Sequence, residues 1–124
     1  MTNEILKLVK QDLSSIPFHN NLDDISRWIA LGSEYHIAIH QINTSQDHPD
    51  EYIKPHKHNA EELNIILSND EIFQYRIMIN DEENIINAPS VVMIPKDTIH
   101  SANVVKGKGF YICIVFQKNY EATE

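Results

Sequence analysis

Two histidines and a glutamate lie close together in residues 54–63, KPHKHNAEEL. His56 and His58 are two residues apart, and side chains two apart on a strand project to the same face. Both imidazoles can therefore reach one metal ion. Glu62 follows in the next run and can add a carboxylate oxygen to the two ring nitrogens. Such a set suits one divalent transition metal (Fe, Mn, Ni or Zn), and sites of this kind usually keep coordination positions open.

The His-X-His pair alone more often marks a solvated polar loop than a metal site, but a second segment bears on this choice. In residues 88–104, APSVVMIPKDTIHSANV, a β-branched run ends at Pro95 and a histidine opens the next strand-like run. Together the two segments resemble the two sequence motifs of the cupin superfamily. The first contains His-x-His, three or four residues and Glu; the second contains Pro-x-Gly, two residues and His. The resemblance implies four metal ligands: His56, His58, Glu62 and His100.

The turn residues depart from the cupin pattern. Asp50 and Asn69 stand where the first motif has glycines, and Pro89 and Asp97 stand where the second has them. Asn and Asp tolerate left-handed turns, so Asn69 and Asp97 are mild departures, whereas the other two imply altered loops. The asparagine that closes the second motif is one place early, at Asn103.

The rest of the chain predicts an all-β fold. Short runs rich in Ile and Val, separated by turn-like pieces, are typical of a sandwich or a small barrel. They are residues 26–32, 35–42, 62–68, 72–79, 84–88, 90–95, 100–105 and 110–116. The resemblance implies more specifically the cupin double-stranded β-helix, an RmlC-like jelly-roll barrel. We expect one domain over residues 1–124, with the barrel over about 26–118.

The first residues predict one α-helix over about 2–15, ahead of the barrel. Ile5, Val9 and Leu13 recur at helical spacing, and Pro17 ends the pattern. After that point no helical pattern of comparable length occurs.

The run that starts at Glu62 carries a further prediction about its two faces. If Glu62 points inward, strand alternation places Asn64 on the same side, where it is a candidate substrate contact. The opposite side then carries Leu63, Ile65 and Leu67. An apolar outer face needs a cover, which the N-terminal helix or a second subunit could supply. Since cupins are commonly dimers, the resemblance implies a homodimer.

The surroundings of the four other histidines predict their roles. His36 and His40 lie on one face of a strand and are candidate catalytic residues, as substrate contacts or proton carriers, because an imidazole titrates near neutrality. Structural or surface roles are the alternative for both. His19 and His48 lie in loop-like segments and are predicted to be solvated.

Two residues on other strands are candidates for binding substrate. Arg76, if it points inward, would anchor a carboxylate or phosphate; a surface position is the alternative. Tyr111 shares a strand face with Cys113 and is a candidate for lining the pocket.

The composition of the chain limits the classes of partner that we expect. Eighteen acidic and ten basic residues give a net charge of −8, which disfavours binding to nucleic acid or to an anionic membrane. No apolar run is long enough to span a bilayer, and the N-terminus lacks the apolar core of a signal peptide. With a single cysteine, the sequence favours a cytoplasmic protein whose partner is a small molecule.

The predicted site supports a class of chemistry and not one substrate. A divalent metal with open positions can polarise a carbonyl, bind two oxygens of an enediolate or, if it is iron, activate dioxygen. The resemblance to small cupins implies a dioxygenase, a sugar isomerase or epimerase, or a lyase that acts on a small polar or anionic metabolite. The alternative is a non-catalytic ligand-binding or sensing cupin with a structural metal, because four protein ligands can close a zinc site.

Overall fold

The computed structural model describes residues 5–47, 49–70 and 72–124. This part of the chain is nearly all β-structure, as predicted, and none of its helices is long and apolar enough to cross a membrane. The strands are β1 (Leu8–Gln11), β2 (Ile25–Ala30), β3 (His36–Asn43), β4 (Lys57–His58), β5 (Glu62–Leu67), β6 (Gln74–Ile79), β7 (Glu82–Asn87), β8 (Ser90–Ile94), β9 (His100–Lys106), β10 (Lys108–Val115) and β11 (Ala122–Thr123). One 3₁₀ turn covers Leu13–Ser15.

The prediction of an N-terminal α-helix over residues 2–15 is wrong for the part of that range that the structure describes. Leu8–Gln11 form β1, which pairs antiparallel with β2, and only Leu13–Ser15 are helical. The side chain of Asp12 caps that single turn by accepting from the backbone N–H of Ser14. Pairing with β2 satisfies the backbone polar groups on one side of this edge strand, and this long-range gain outweighs the local helical pattern of the segment.

The strands form two main sheets. The larger has the order β1-β2-β3-β10-β5-β8 and the smaller β7-β6-β9, while β11 and β4 form a separate pair. The hydrophobic core contains residues from both main sheets, including Ile42 and Ile66 from one and Ile77 and Val104 from the other. The rings of Tyr75 and Tyr111 stack within this core, with centroids 4.7 Å apart.

The alternation predicted for β5 is confirmed. Glu62, Asn64 and Ile66 are buried, whereas Leu67 on the opposite side is exposed. Strand pairing extends this opposite side into one apolar surface, because Leu63 and Ile65 of β5 lie beside residues of β8 and β10. We call this surface the outer face; it consists of Leu63, Ile65, Leu67, Val91, Met93, Phe110, Ile112, Ile114 and Phe116.

Candidate metal centre

The predicted metal ligands come from three places in the fold. His56 and His58 lie at the start of β4, Glu62 opens β5 and His100 opens β9. The backbones of His56 and His100 exchange two hydrogen bonds, at 3.0 and 2.8 Å, which join the two motifs directly. Asp97, a turn residue of the second motif, has φ +58° and donates its backbone N–H to the carbonyl of His58. The aspartate therefore adopts the left-handed turn that the family pattern assigns to glycine.

The four side chains converge in the interior and all are buried. Potential ligand atoms of His56, His58 and His100 all lie within 4.8 Å of one another, so these three histidines can hold a metal ion. Oε1 of Glu62 lies 3.2 Å from Nε2 of His58 and 3.4 Å from Nε2 of His100. The carboxylate therefore contacts two of the three histidines.

The hydrogen bonds of two histidines determine which ring nitrogen faces the site. Nδ1 of His56 lies 2.7 Å from the carbonyl oxygen of Lys54, and Nδ1 of His100 lies 2.9 Å from that of Thr98. A carbonyl only accepts, so both Nδ1 atoms carry a proton and the Nε2 atom of each ring faces the site. Nε2 of His56 also lies 3.2 Å from Nε2 of His58. Outer hydrogen bonds of this kind orient metal-binding histidines, whose Nε2 lone pairs become available to a cation once the Nε2 protons shared with Glu62 have left.

The pKa values of three of these groups are shifted. Burial lowers the pKa of His56 to about 4, which keeps the ring in the neutral form that binds metal. Burial alone would raise the pKa of Glu62, but hydrogen bonds from His100 and His58 outweigh it and hold that pKa well below its usual range. Burial likewise opposes protonation of His100, but the hydrogen bond to Glu62, the charge of Glu62 and the hydrogen bond to Thr98 together outweigh burial and raise the pKa of that imidazole.

Asn64 supports Glu62 and does not line the cavity. Its Nδ2 donates to Oε2 of Glu62 at 2.8 Å, the carboxylate oxygen that is turned away from the closest histidine contacts. The predicted role of Asn64 as a substrate contact is therefore corrected to a positioning role. Within the described residues, Oδ1 of Asn64 and Nδ1 of His58 are buried without a hydrogen-bond partner.

A cavity of about 30 Å³ adjoins the cluster. At ~10–15 Å³ per water it holds about two waters, so only a small polar group of a ligand reaches its interior. His36, His40 and Tyr111 lie on its wall. It is lined by His19, Arg27, His36, His40, Ile53, His56, His58, Glu62, His100, Ala102, Tyr111, Cys113 and Tyr120.

The hydrogen bonds of His36 and His40 do not suit a proton carrier. Arg27 donates through Nη1 to Nε2 of His40 at 3.0 Å and through Nη2 to Nε2 of His36 at 3.1 Å. An arginine cannot accept, so both Nε2 lone pairs are occupied. Burial, followed by the charge of Arg27, lowers the pKa of His36 to about 4 and that of His40 well below its usual value. Both rings therefore stay neutral near pH 7.

Three cavity residues were missed or misplaced by the sequence analysis. Arg27 shares the inner face of β2 with Ile25, and a charged residue on an apolar face was the available signal. His19, predicted to be solvated, lines the cavity because it forms a β-bridge with Ile53. Tyr120 arrives beside β11, and its ring packs against His36 and His58 with no signal in the sequence. His48 lies outside the described residues.

Arg76 lies away from the cavity. Its guanidinium contacts Oε1 of Glu51 at 2.7 Å and Oε1 of Glu83 at 4.0 Å, with 26% of the side chain exposed. Its neighbours Tyr75 and Ile77 take the buried face of β6. The predicted role of Arg76 as a substrate anchor in this pocket is therefore corrected to a surface ion pair.

Solved structures identify the fold. KdgF from Halomonas sp. matches with a TM-score of 0.62 and 11% identity, over 95% of this chain and 97% of its own. A cupin 2 domain-containing protein from Halorhodospira halophila matches with a TM-score of 0.62 and 9% identity, over 98% and 83%. An RmlC-like cupin from Shewanella frigidimarina matches with a TM-score of 0.59 and 9% identity, over 92% and 96%. No family model matches the sequence, and no curated protein matches it.

The chain therefore has the cupin jelly-roll fold that the resemblance implied. Within that fold, its three buried histidines can hold a metal ion.

Proposed function

We propose that this chain is a metal-dependent enzyme that acts on a small polar or anionic metabolite, as a dioxygenase, a sugar isomerase or epimerase, or a lyase. The convergence of His56, His58 and His100 on one point is the observation that carries the proposal. Two of these rings are fixed by backbone carbonyls so that Nε2 faces that point. Glu62 is the proposed fourth ligand.

The position of the cluster favours catalysis over a structural metal. A structural zinc site is closed by its protein ligands, whereas a catalytic site keeps a position for water or substrate. Here the histidines and Glu62 line the wall of a cavity that admits small polar groups. When bound, a divalent metal would supply Lewis-acid chemistry or, if it is iron, dioxygen chemistry.

Cobalt(II) tests whether the proposed site is open. Tag-free protein is loaded with Co²⁺ and titrated with azide while the visible absorption bands of the metal are followed. We expect azide to change these bands in the wild type and in the control Arg76→Gln, and we expect His58→Ala to lose them. Bands that form but do not respond to azide would show a closed site and refute the catalytic proposal.

Turnover is tested on the loaded protein. The Fe, Mn, Ni and Zn forms are incubated with sugars, sugar acids and keto acids while dioxygen uptake and product NMR spectra are recorded. We expect one metal form to convert one of these classes, and His58→Ala to abolish the conversion. Conversion that survives His58→Ala would place the chemistry elsewhere.

We also propose that the chain forms a homodimer through the outer face. Val91 and Met93 of β8 are 60% and 53% exposed, and they share the outer face with the exposed rings of Phe110 and Phe116. Monomers rarely leave a contiguous apolar surface of this kind in water. We expect light scattering to give twice the chain mass for the wild type and the single mass for Val91→Lys. Ile85→Lys, at a 50% exposed apolar position on β7, is the matched control. A monomeric wild type would contradict the dimer.

A further inference from the structure

We propose that Arg27 is the anchor for an anionic group, a carboxylate or a phosphate, of the ligand that enters this cavity. The inference rests on the proposed function for the identity of the cavity and deepens it by naming the substrate class. The anchor itself is built from residues other than the proposed metal ligands, so the two can be tested separately.

The burial of Arg27 is the first reason. The side chain is 4% exposed and lines the cavity. A buried charge costs several kcal/mol unless it is paired, and buried arginines normally face a carboxylate. In the described part of the chain, however, no carboxylate oxygen lies within 4.0 Å of the Arg27 guanidinium. The fold therefore holds a positive charge beside a cavity without a carboxylate in direct contact with it.

The hydrogen bonds of Arg27 are the second reason. Nε donates to Oε1 of Gln11 at 3.0 Å, and the two terminal nitrogens donate to His40 and His36. All three acceptors are neutral groups. A guanidinium has five N–H donors, so these bonds leave one N–H on each terminal nitrogen, with the Tyr120 hydroxyl as a further, longer contact of Arg27. The two remaining donors match the paired oxygens of a carboxylate or phosphate, which would replace that contact.

The histidines give Arg27 a fixed orientation. Because Nε2 of His40 accepts from Arg27, Nδ1 of that ring carries the proton and donates to the hydroxyl of Tyr52 at 2.9 Å. The hydroxyls of Tyr52 and Tyr75 are in turn 2.6 Å apart. His40, Tyr52 and Tyr75 are fully buried, so the chain of hydrogen bonds is anchored in the core. His36 and His40 are thus positioning residues for the guanidinium.

The other charged groups of the cavity are also compatible with an anionic ligand. Glu62 is the one carboxylate among the described lining residues. Its oxygens are engaged by His58, His100 and Asn64. A cation bound at the histidines would add positive charge, so a ligand anion would meet attraction from both sides of the cavity.

Anion binding to the metal-free protein tests the proposal. Chelator-treated protein is titrated with acetate, with inorganic phosphate and with neutral acetamide, and the Nε–H signal of Arg27 is followed by NMR. We expect acetate or phosphate, but not acetamide, to shift this signal, and the stronger of the two identifies the anionic group. The affinity of that anion, measured by calorimetry, should fall about 10- to 100-fold in Arg27→Gln, the loss expected for a charge-assisted hydrogen bond.

Two variants keep the test decisive. Arg76→Gln removes a surface guanidinium and should bind the anion as the wild type does. Arg27→Lys keeps the charge but loses the paired donors, so it should bind more weakly than the wild type even if Arg27→Gln does not fold. Wild-type protein that binds neither anion more tightly than acetamide would refute the anchor. So would folded Arg27 variants with wild-type affinity, because Arg27 would then serve only to hold β1, β2 and β3 together.

Metal content of the same samples separates the two proposals. We expect Arg27→Gln or Arg27→Lys to bind metal with wild-type stoichiometry while losing the anion. A wild type that binds the anion but no metal would refute the proposed enzyme and leave the anchor standing.

Discussion

Replacing Asn103 with alanine tests how the approach to the metal site is held in place. Asn103 lies in β9 with 2% of its side chain exposed. Its Oδ1 accepts from the backbone N–H groups of Tyr52 at 2.7 Å and Ile53 at 3.0 Å, and its Nδ2 donates to the carbonyl of Ile53 at 3.0 Å. One side chain therefore fixes the segment that leads to His56.

The expected loss of stability in Asn103→Ala follows from these three hydrogen bonds. Alanine leaves two buried N–H groups and one buried carbonyl without partners, and each such group costs about 1–3 kcal/mol. Water that enters the vacated space offsets part of this cost, so we expect a loss of about 3–6 kcal/mol in the free energy of unfolding. This is a large share of the ~5–15 kcal/mol that a domain normally has. Metal affinity should fall as well, because the segment that leads to His56 is no longer held in place by these bonds.

Urea unfolding of the metal-free protein measures this loss. Asn87→Ala is the matched control, since Asn87 is exposed and its side chain accepts one bond from Gln74. The control should stay within about 0.5 kcal/mol of the wild type. A loss below about 1 kcal/mol for Asn103→Ala, with the same urea dependence, would refute the assignment of these bonds as a structural clamp.

Two further predictions concern a turn and a titrating group. Gly107 has φ +97°, and a Cβ there would overlap the carbonyl of Ile72, so Gly107→Ala should cost at least about 2 kcal/mol. At Gly32, with φ +80°, a Cβ would make only an ordinary contact with Leu6 at 4.0 Å, so Gly32→Ala should cost about 1 kcal/mol by strain alone; equal losses in urea unfolding would contradict the overlap. Burial and the charge of Arg27 lower the pKa of His36 from 6.5 to about 4, so the unfolded chain takes up this proton first as the pH falls. The stability from neutral His36 is complete above pH 6.5 and is lost toward pH 4. In His36→Gln the pH slope of the unfolding free energy should be smaller by up to ~1.4 kcal/mol per pH unit, and an unchanged slope would contradict this.

The sequence was most informative where a short spacing carried the information. His56, His58, Glu62 and His100 could be found because each motif places its ligands within a few residues, and the structure brings all four together. Once Glu62 was placed inside, strand alternation alone gave the correct faces of β5.

The two arginines show which side-chain directions the sequence alone can predict and which it cannot. Arg76 lies on the phase of β6 opposite Tyr75 and Ile77, so its outward position was readable from the apolar alternation. Arg27 lies in a run that is apolar on both phases, with Ile25 on one and Trp28 on the other. Its inward direction is set by the pairing of β2 with β1 and β3, and the charged residue on the phase of Ile25 is only a weak local signal of it.

Long-range pairing also explains the wrong helix. A helical spacing of apolar residues is a local signal, whereas β1 exists because β2 offers it a free edge. The position of Tyr120 could not be predicted for the same reason, because this residue reaches the cavity through the pairing of β11 with β4.

The metal content of the purified chain tests the central claim most directly. Tag-free protein, its Arg76→Gln control and the double variant His56→Ala, His58→Ala are analysed by mass spectrometry for bound transition metals. The account predicts one metal ion per chain in the wild type and the control, and almost none in the double variant. Metal content that is unchanged in the double variant would contradict the account.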